Sequence, residues 1–90
     1  MSSRREKRYK IIALPRFEKD LAKLKQETKR RVLRNLSTLE SSPYSFKELH
    51  GSLRGKHTMR IGDYRLIYTI DGKNETVFLM TITHRRHAYK

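Results

Sequence analysis

Ninety residues without a cysteine make one small domain and exclude both a disulfide framework and a thiolate metal site. Lysine and arginine number 22 against 9 aspartate and glutamate, a formal net charge of +13 that draws so small a body toward polyanions. The apolar run behind the basic N-terminus is only Ile11 to Leu14, too short for a signal peptide or a membrane span. The expectation is a soluble, cytoplasmic protein that meets nucleic acid or the ribosome and no membrane.

Residues 1–7 are polar and charged, and are expected to form a flexible basic tail on a single domain covering 1–90. Residues 9–14 combine β-branched and aromatic side chains ahead of a proline, the pattern of a short strand. Pro15 cannot continue a central strand but suits the first turn of a helix. Phe17, Leu21 and Leu24 then recur at four-three spacing, with Lys19, Lys23 and Lys25 outward, which predicts an amphipathic helix. A second helix is predicted over about 27–40, with Val32, Leu33, Leu36 and Leu39 as its apolar stripe and Lys29, Arg30, Arg31 and Arg34 exposed. The short gap between the two predicts an antiparallel helical hairpin.

Ser41-Ser42-Pro43 ends the hairpin, and residues 44–56 read as a loop with Gly51 and Gly55, anchored by Phe46, Leu49 and Leu53. Strands are predicted over 56–61, 64–70 and 76–83, joined by the turn sequences Gly62-Asp63 and Asp71-Gly72-Lys73-Asn74. The order β-α-α-β-β-β gives an α+β fold, the helical hairpin packed on one face of a mainly antiparallel four-stranded sheet.

Alternation assigns side chains to the two faces. Leu66, Tyr68 and Ile70 share one face and Arg65, Ile67 and Thr69 the other; His57, Met59 and Ile61 alternate with Thr58 and Arg60. In the last strand Phe78, Met80 and Ile82 are the richer apolar set, which leaves Leu79, Thr81 and Thr83 opposite, with Arg85 if extended geometry continues. If the richer sets face the helices, Arg60, Arg65 and Arg85 emerge on the open face as a basic concavity beside Tyr89. Ile67, Leu79 and Val77 would leave an apolar patch there, the mark of a partner docking as a helix or an added strand.

Three stretches carry a resemblance: Leu49-His50-Gly51; the run from Met59-Arg60-Ile61-Gly62-Asp63 through Tyr64-Arg65-Leu66-Ile67-Tyr68; and the ending His84-Arg85-Arg86-His87-Ala88-Tyr89. In order and spacing they resemble the RelE/ParE toxin superfamily over essentially the whole chain. The resemblance implies a toxin of a type II toxin–antitoxin system, held inactive by a RelB-like antitoxin. RelE-like members enter the ribosomal A site and cut mRNA there, whereas ParE-like members share the fold and poison DNA gyrase. It also implies that Arg65 and Arg85 are the catalytic arginines, that Tyr89 is the C-terminal tyrosine, and that Arg60 is the basic residue of the preceding strand. Two positions depart from the pattern. Thr58 stands where the best-known members have a second lysine, and His87 replaces an acidic residue.

The implied chemistry needs no metal and no small-molecule cofactor. The RNA's own 2′-hydroxyl attacks the adjacent phosphate, giving a cyclic phosphate and a free 5′-hydroxyl. The protein must take a proton, neutralise charge on the phosphate and protonate the leaving oxygen. Arginine suits the middle task, because its planar fork pairs with two phosphate oxygens and stays charged. Tyr89 is a candidate base if neighbouring cations favour its phenolate, and His84 and His87 titrate near the useful range. Arg54, Lys56, Arg60, Arg86 and Lys90 are candidate RNA-phosphate contacts, and the basic helix faces candidate contacts to ribosomal RNA. His50 and His57 read as loop and core residues, and Tyr68 as core. A gyrase-type inhibitor and a plain RNA- or ribosome-binding module remain open as alternatives.

Overall fold

The computed structural model describes residues 8–87 and follows the expected order with one addition. Strand β1 (Lys10–Ala13) leads into helices α1 (Pro15–Ala22) and α2 (Gln26–Ser41). A two-residue strand β2 (Lys47–Glu48) precedes β3 (Lys56–Ile61), β4 (Tyr64–Asp71) and β5 (Thr76–His84). Single 3-10 turns occupy Pro43–Ser45, Gly51–Leu53 and Arg85–His87. The sheet order is β1-β5-β4-β3-β2, with β1 parallel to β5 and every other pairing antiparallel. The expected four strands are therefore five. Lys47 and Glu48, assigned to a loop, pair with Thr58 and His57. Two residues are too few for alternation to register.

Local chemistry explains the punctuation. Pro15 opens α1 behind an extended Leu14, the conformation a residue before proline prefers. Gly62 has φ +60° at the first position of the two-residue β3–β4 turn, where a II′ hairpin calls for glycine. The β4–β5 turn is held by Asn74, whose backbone and side-chain N–H groups donate to the Asp71 carboxylate at 3.2 and 2.8 Å. Those bonds, the side-chain one foremost, hold the Asp71 carboxyl below the usual carboxylate range.

The core lies between the helices and one sheet face: Phe17 of α1, Val32 and Leu39 of α2, and Met59, Ile61, Leu66, Tyr68, Val77, Leu79 and Ile82 of the strands. Two expectations are corrected. Leu33 is 55% exposed and outside the α2 stripe, which is carried by Val32, Leu36 and Leu39. In β5 the core takes Val77, Leu79 and Ile82, whereas Phe78 and Met80 are only partly buried. The cause is a β-bulge. Ile67 lies opposite Thr81 but Tyr68 opposite Leu79, so Met80 is an extra residue and the inward set changes from odd to even numbers. Val77 and Leu79, expected on the open face, belong to the core. That face instead carries Ile67, Phe78 and Ile12, the last two side by side in the β1–β5 register.

The two helices meet different parts of the sheet, α1 packing along β5 and α2 against β1 and β3. Beyond Leu79, β5 runs past the end of β1, and α1 closes the exposed edge. Asp20 accepts hydrogen bonds from the Ile82 backbone N–H at 3.4 Å and from the Thr81 hydroxyl. Tyr68 is fully buried, donates its hydroxyl to the Pro43 carbonyl at 2.7 Å, and stacks on His57 with ring centroids 5.5 Å apart. Burial pushes its phenol well above the ordinary range, so Tyr68 is a core hydrogen-bond donor and not a base.

Candidate functional site

The open face of the sheet is organised in rows. Arg60 lies directly opposite Arg65, and Arg65 directly opposite Thr83, so β3, β4 and β5 place these three side by side. Arg60 is exposed and Arg65 half-buried. Like charges facing each other across strands destabilise a sheet, and a bound polyanion removes that penalty. The next row contains Thr58 and Ile67. Thr58 is buried, and its hydroxyl has no hydrogen-bond partner among the described residues. A short buried hydroxyl therefore occupies the place where the resemblance would put an exposed lysine.

Extended geometry stops at His84, so Arg85 does not continue the open-face row as expected. It opens the 3-10 turn Arg85–His87, and its N–H donates to the Asp63 carbonyl at 2.7 Å. That bond fastens the β3–β4 turn to the start of the C-terminal segment and brings Arg85 and Arg86 to the end of the sheet that carries Arg60 and Arg65. Arg85 and Arg86 are both exposed. Among the described residues, neither they nor Arg60 has an ion-pair partner. Arg31 of α2 reaches the same end, since a Cβ added to Gly62 would stand 2.7 Å from its Nη1. The basic surface of α2 thus continues over the β3–β4 turn to the arginine row.

Other candidates are separated from this cluster. Lys56 begins β3, four residues from Arg60, or about 13 Å at the usual strand rise. Arg54 lies exposed in the connection ahead of it. His84 lies opposite Tyr64 with an edge-to-face ring contact at 5.4 Å, in the row next to Leu66 and Ile82 that faces the helices. It does not share the face of Arg65. The side chain of His87, and Tyr89 and Lys90, lie outside the described residues. His57 is in the core and His50 exposed in a loop, as their sequence context indicated. Strand alternation placed Thr83 on the open face, and it lies there beside Arg65. Arg31 was missed as a neighbour of the site, because nothing along the chain linked it to Gly62.

Two helices on a mixed five-stranded sheet match the fold of the RelE toxins in solved structures. The toxin–antitoxin complex RelBE2 of Mycobacterium tuberculosis contains a chain 30% identical to this one, with a TM-score of 0.81, covering 87% of this chain and 99% of that one. In the archaeal RelE–RelB complex of Pyrococcus horikoshii the figures are 28%, 0.71, 89% and 98%. A Methanocaldococcus jannaschii relative named as toxin RelE4 is 27% identical over 86 residues, 91% of this chain and 92% of its own. The family model described as the ParE toxin of the type II toxin–antitoxin system parDE matches residues 11–89. The chain belongs to that toxin family, as a RelE-like toxin of a toxin–antitoxin system.

Proposed function

We propose that this toxin is a metal-independent endoribonuclease that cuts mRNA in the ribosomal A site and so arrests translation. The observation that carries the reading is the Arg60–Arg65 pair, set in register on the open face with Arg85 and Arg86 fastened at the same end. Clustered guanidinium groups are what an in-line attack by a 2′-hydroxyl requires, because negative charge builds on the phosphate oxygens as the new P–O bond forms. Arg65 and Arg85 neutralise that charge. Arg60 and Arg86 hold the flanking phosphates, and the basic face of α2 with Arg31 meets ribosomal RNA. By the family resemblance the 2′-hydroxyl gives its proton to Tyr89 as phenolate. As the new P–O2′ bond forms the P–O5′ bond breaks, and the leaving 5′-oxygen takes a proton from solvent water. Lys56 and Arg54, farther along the sheet, are left for the RNA backbone beyond the scissile step.

A RelB-like antitoxin is the proposed inhibitory partner. Solved relatives are complexes with RelB antitoxins, and the open-face patch of Ile12, Ile67 and Phe78 offers an apolar seat. The description of the matching family as parDE toxins favours a second reading, poisoning of DNA gyrase without catalysis.

The test adds purified toxin to translating ribosomes, maps mRNA ends, and runs a gyrase supercoiling assay in parallel. Arg85→Ala should lower cleavage about a hundred- to a thousand-fold at nearly unchanged ribosome affinity. Arg30→Ala, one phosphate contact among many, should leave cleavage at saturation unchanged and affinity nearly so. Gyrase inhibition with intact mRNA would establish the second reading. Equal loss of binding in both variants, with no effect on cleavage at saturation, would leave a binding module.

A further inference from the structure

We infer that His84 is a positioning residue that holds the arginine-bearing turn in place, and not the group that carries the proton. The inference rests on the ribonuclease reading for its consequence in catalysis, but its geometry stands independently. His84 is the last residue of β5, and its register partner Tyr64 belongs to the helix-facing set of β4. The ring packs edge-to-face on Tyr64, with the two planes at 73°. Arg60, Arg65 and Thr83 project from the opposite face.

The imidazole nitrogens are also committed. Nδ1 of His84 accepts the backbone N–H of Arg86 at 3.3 Å. A ring nitrogen that accepts carries no proton, so the neutral ring has its hydrogen on Nε2. In that tautomer one nitrogen is occupied and the other is a donor, which leaves no lone pair to take a proton from a 2′-hydroxyl. What the contact does accomplish is structural. The first N–H of the 3-10 turn, that of Arg85, is taken by the Asp63 carbonyl, and the second, that of Arg86, by His84. Orphan N–H groups at the start of a helical turn need such acceptors. The two bonds and the Tyr64 contact fix the direction in which the chain leaves the sheet, and hence where the Arg85 and Arg86 side chains begin.

Replacement by asparagine or glutamine separates the roles. The Oδ1 of asparagine falls near the place of Nδ1, whereas the polar atoms of glutamine fall near Nε2. On saturated ribosomes His84→Ala should slow single-turnover cleavage by about ten- to a hundred-fold, the scale of a misplaced catalytic group, with ribosome affinity unchanged. His84→Asn should restore the rate to within several-fold and keep the wild-type pH–rate profile, and His84→Gln should not restore it. Rescue by glutamine alone, or loss of one limb of the pH profile in His84→Asn, would overturn the inference.

A second measurement does not depend on cleavage. Nitrogen-15 shifts of the wild-type ring should show the Nε2–H tautomer. Amide exchange at Arg86 should be protected in the wild type and in His84→Asn, and fast in His84→Ala. A proton on Nδ1 in the neutral ring would refute the assignment even if no variant cut RNA. Should the wild type fail to cut mRNA while these shifts hold, the ribonuclease reading fails and the positioning role of His84 stands.

Discussion

Replacing Tyr68 by phenylalanine removes one oxygen atom and tests how the sheet is joined to the end of the helical layer. The Tyr68 ring is fully buried, and its hydroxyl donates at 2.7 Å to the carbonyl of Pro43, itself buried in the 3-10 turn after α2. Phenylalanine keeps the ring and its stacking on His57 but leaves the carbonyl without that donor. A buried polar group stripped of its partner costs about 1–3 kcal/mol, more than the net value of a hydrogen bond exchanged with water. For a domain of this size each kcal/mol moves the midpoint by roughly 4–8 °C, so Tyr68→Phe should lower Tm by about 5–20 °C. The assay is thermal and urea unfolding followed by circular dichroism, with both midpoints shifted and the urea slope unchanged. Because Tyr68 faces the helices, cleavage by the folded variant on saturated ribosomes should match the wild type. A loss below about 0.5 kcal/mol would show that water satisfies Pro43 and that this link contributes nothing. The raised phenol also fixes the direction of the alkaline response. Stability from neutral, buried Tyr68 is fully present below its unfolded pKa and declines as pH rises above it, and Tyr68→Phe should lack that decline.

The bulge at Met80 predicts that Leu79→Ala costs about 2–5 kcal/mol and Phe78→Ala about 1 kcal/mol or less in the same unfolding assay; the reverse order would mean that the register is wrong. Asp20→Ala should destabilise by about 1–3 kcal/mol and raise aggregation on light scattering, because it uncovers the β5 edge at Thr81 and Ile82. The Asp71 carboxyl, held low by Asn74, contributes stability above its unfolded pKa, and that contribution is lost as pH falls through the folded value. Asn74→Ala should return the Asp71 titration, read by carbon-13 carboxyl shifts, toward the ordinary range.

The elements themselves are written in the sequence, because hydrophobic period and turn chemistry act over a few residues. Four-three spacing of Phe17, Leu21 and Leu24 and Pro15 at its start located α1, although the helix ends at Ala22 and Leu24 lies in the turn that follows. Gly62-Asp63 located the β3–β4 turn, and with it the pairing of Arg60 and Arg65. The family and the basic open face follow from the same local facts. Tertiary structure decided everything that depends on one strand meeting another. A single extra residue, Met80, reverses the inward face of β5, and alternation along one strand cannot report an insertion relative to its neighbour. Two-residue β2 exists only because β3 offers it an edge. Arg85 leaves the strand where the Asp63 carbonyl captures its N–H, and Nδ1 of His84 is occupied because the turn brings the Arg86 N–H to it. Those contacts set the direction in which Arg85 and Arg86 leave the sheet. The His84 bond is local, but the turn that allows it forms where the distant Asp63 carbonyl is brought within hydrogen-bond distance of Arg85.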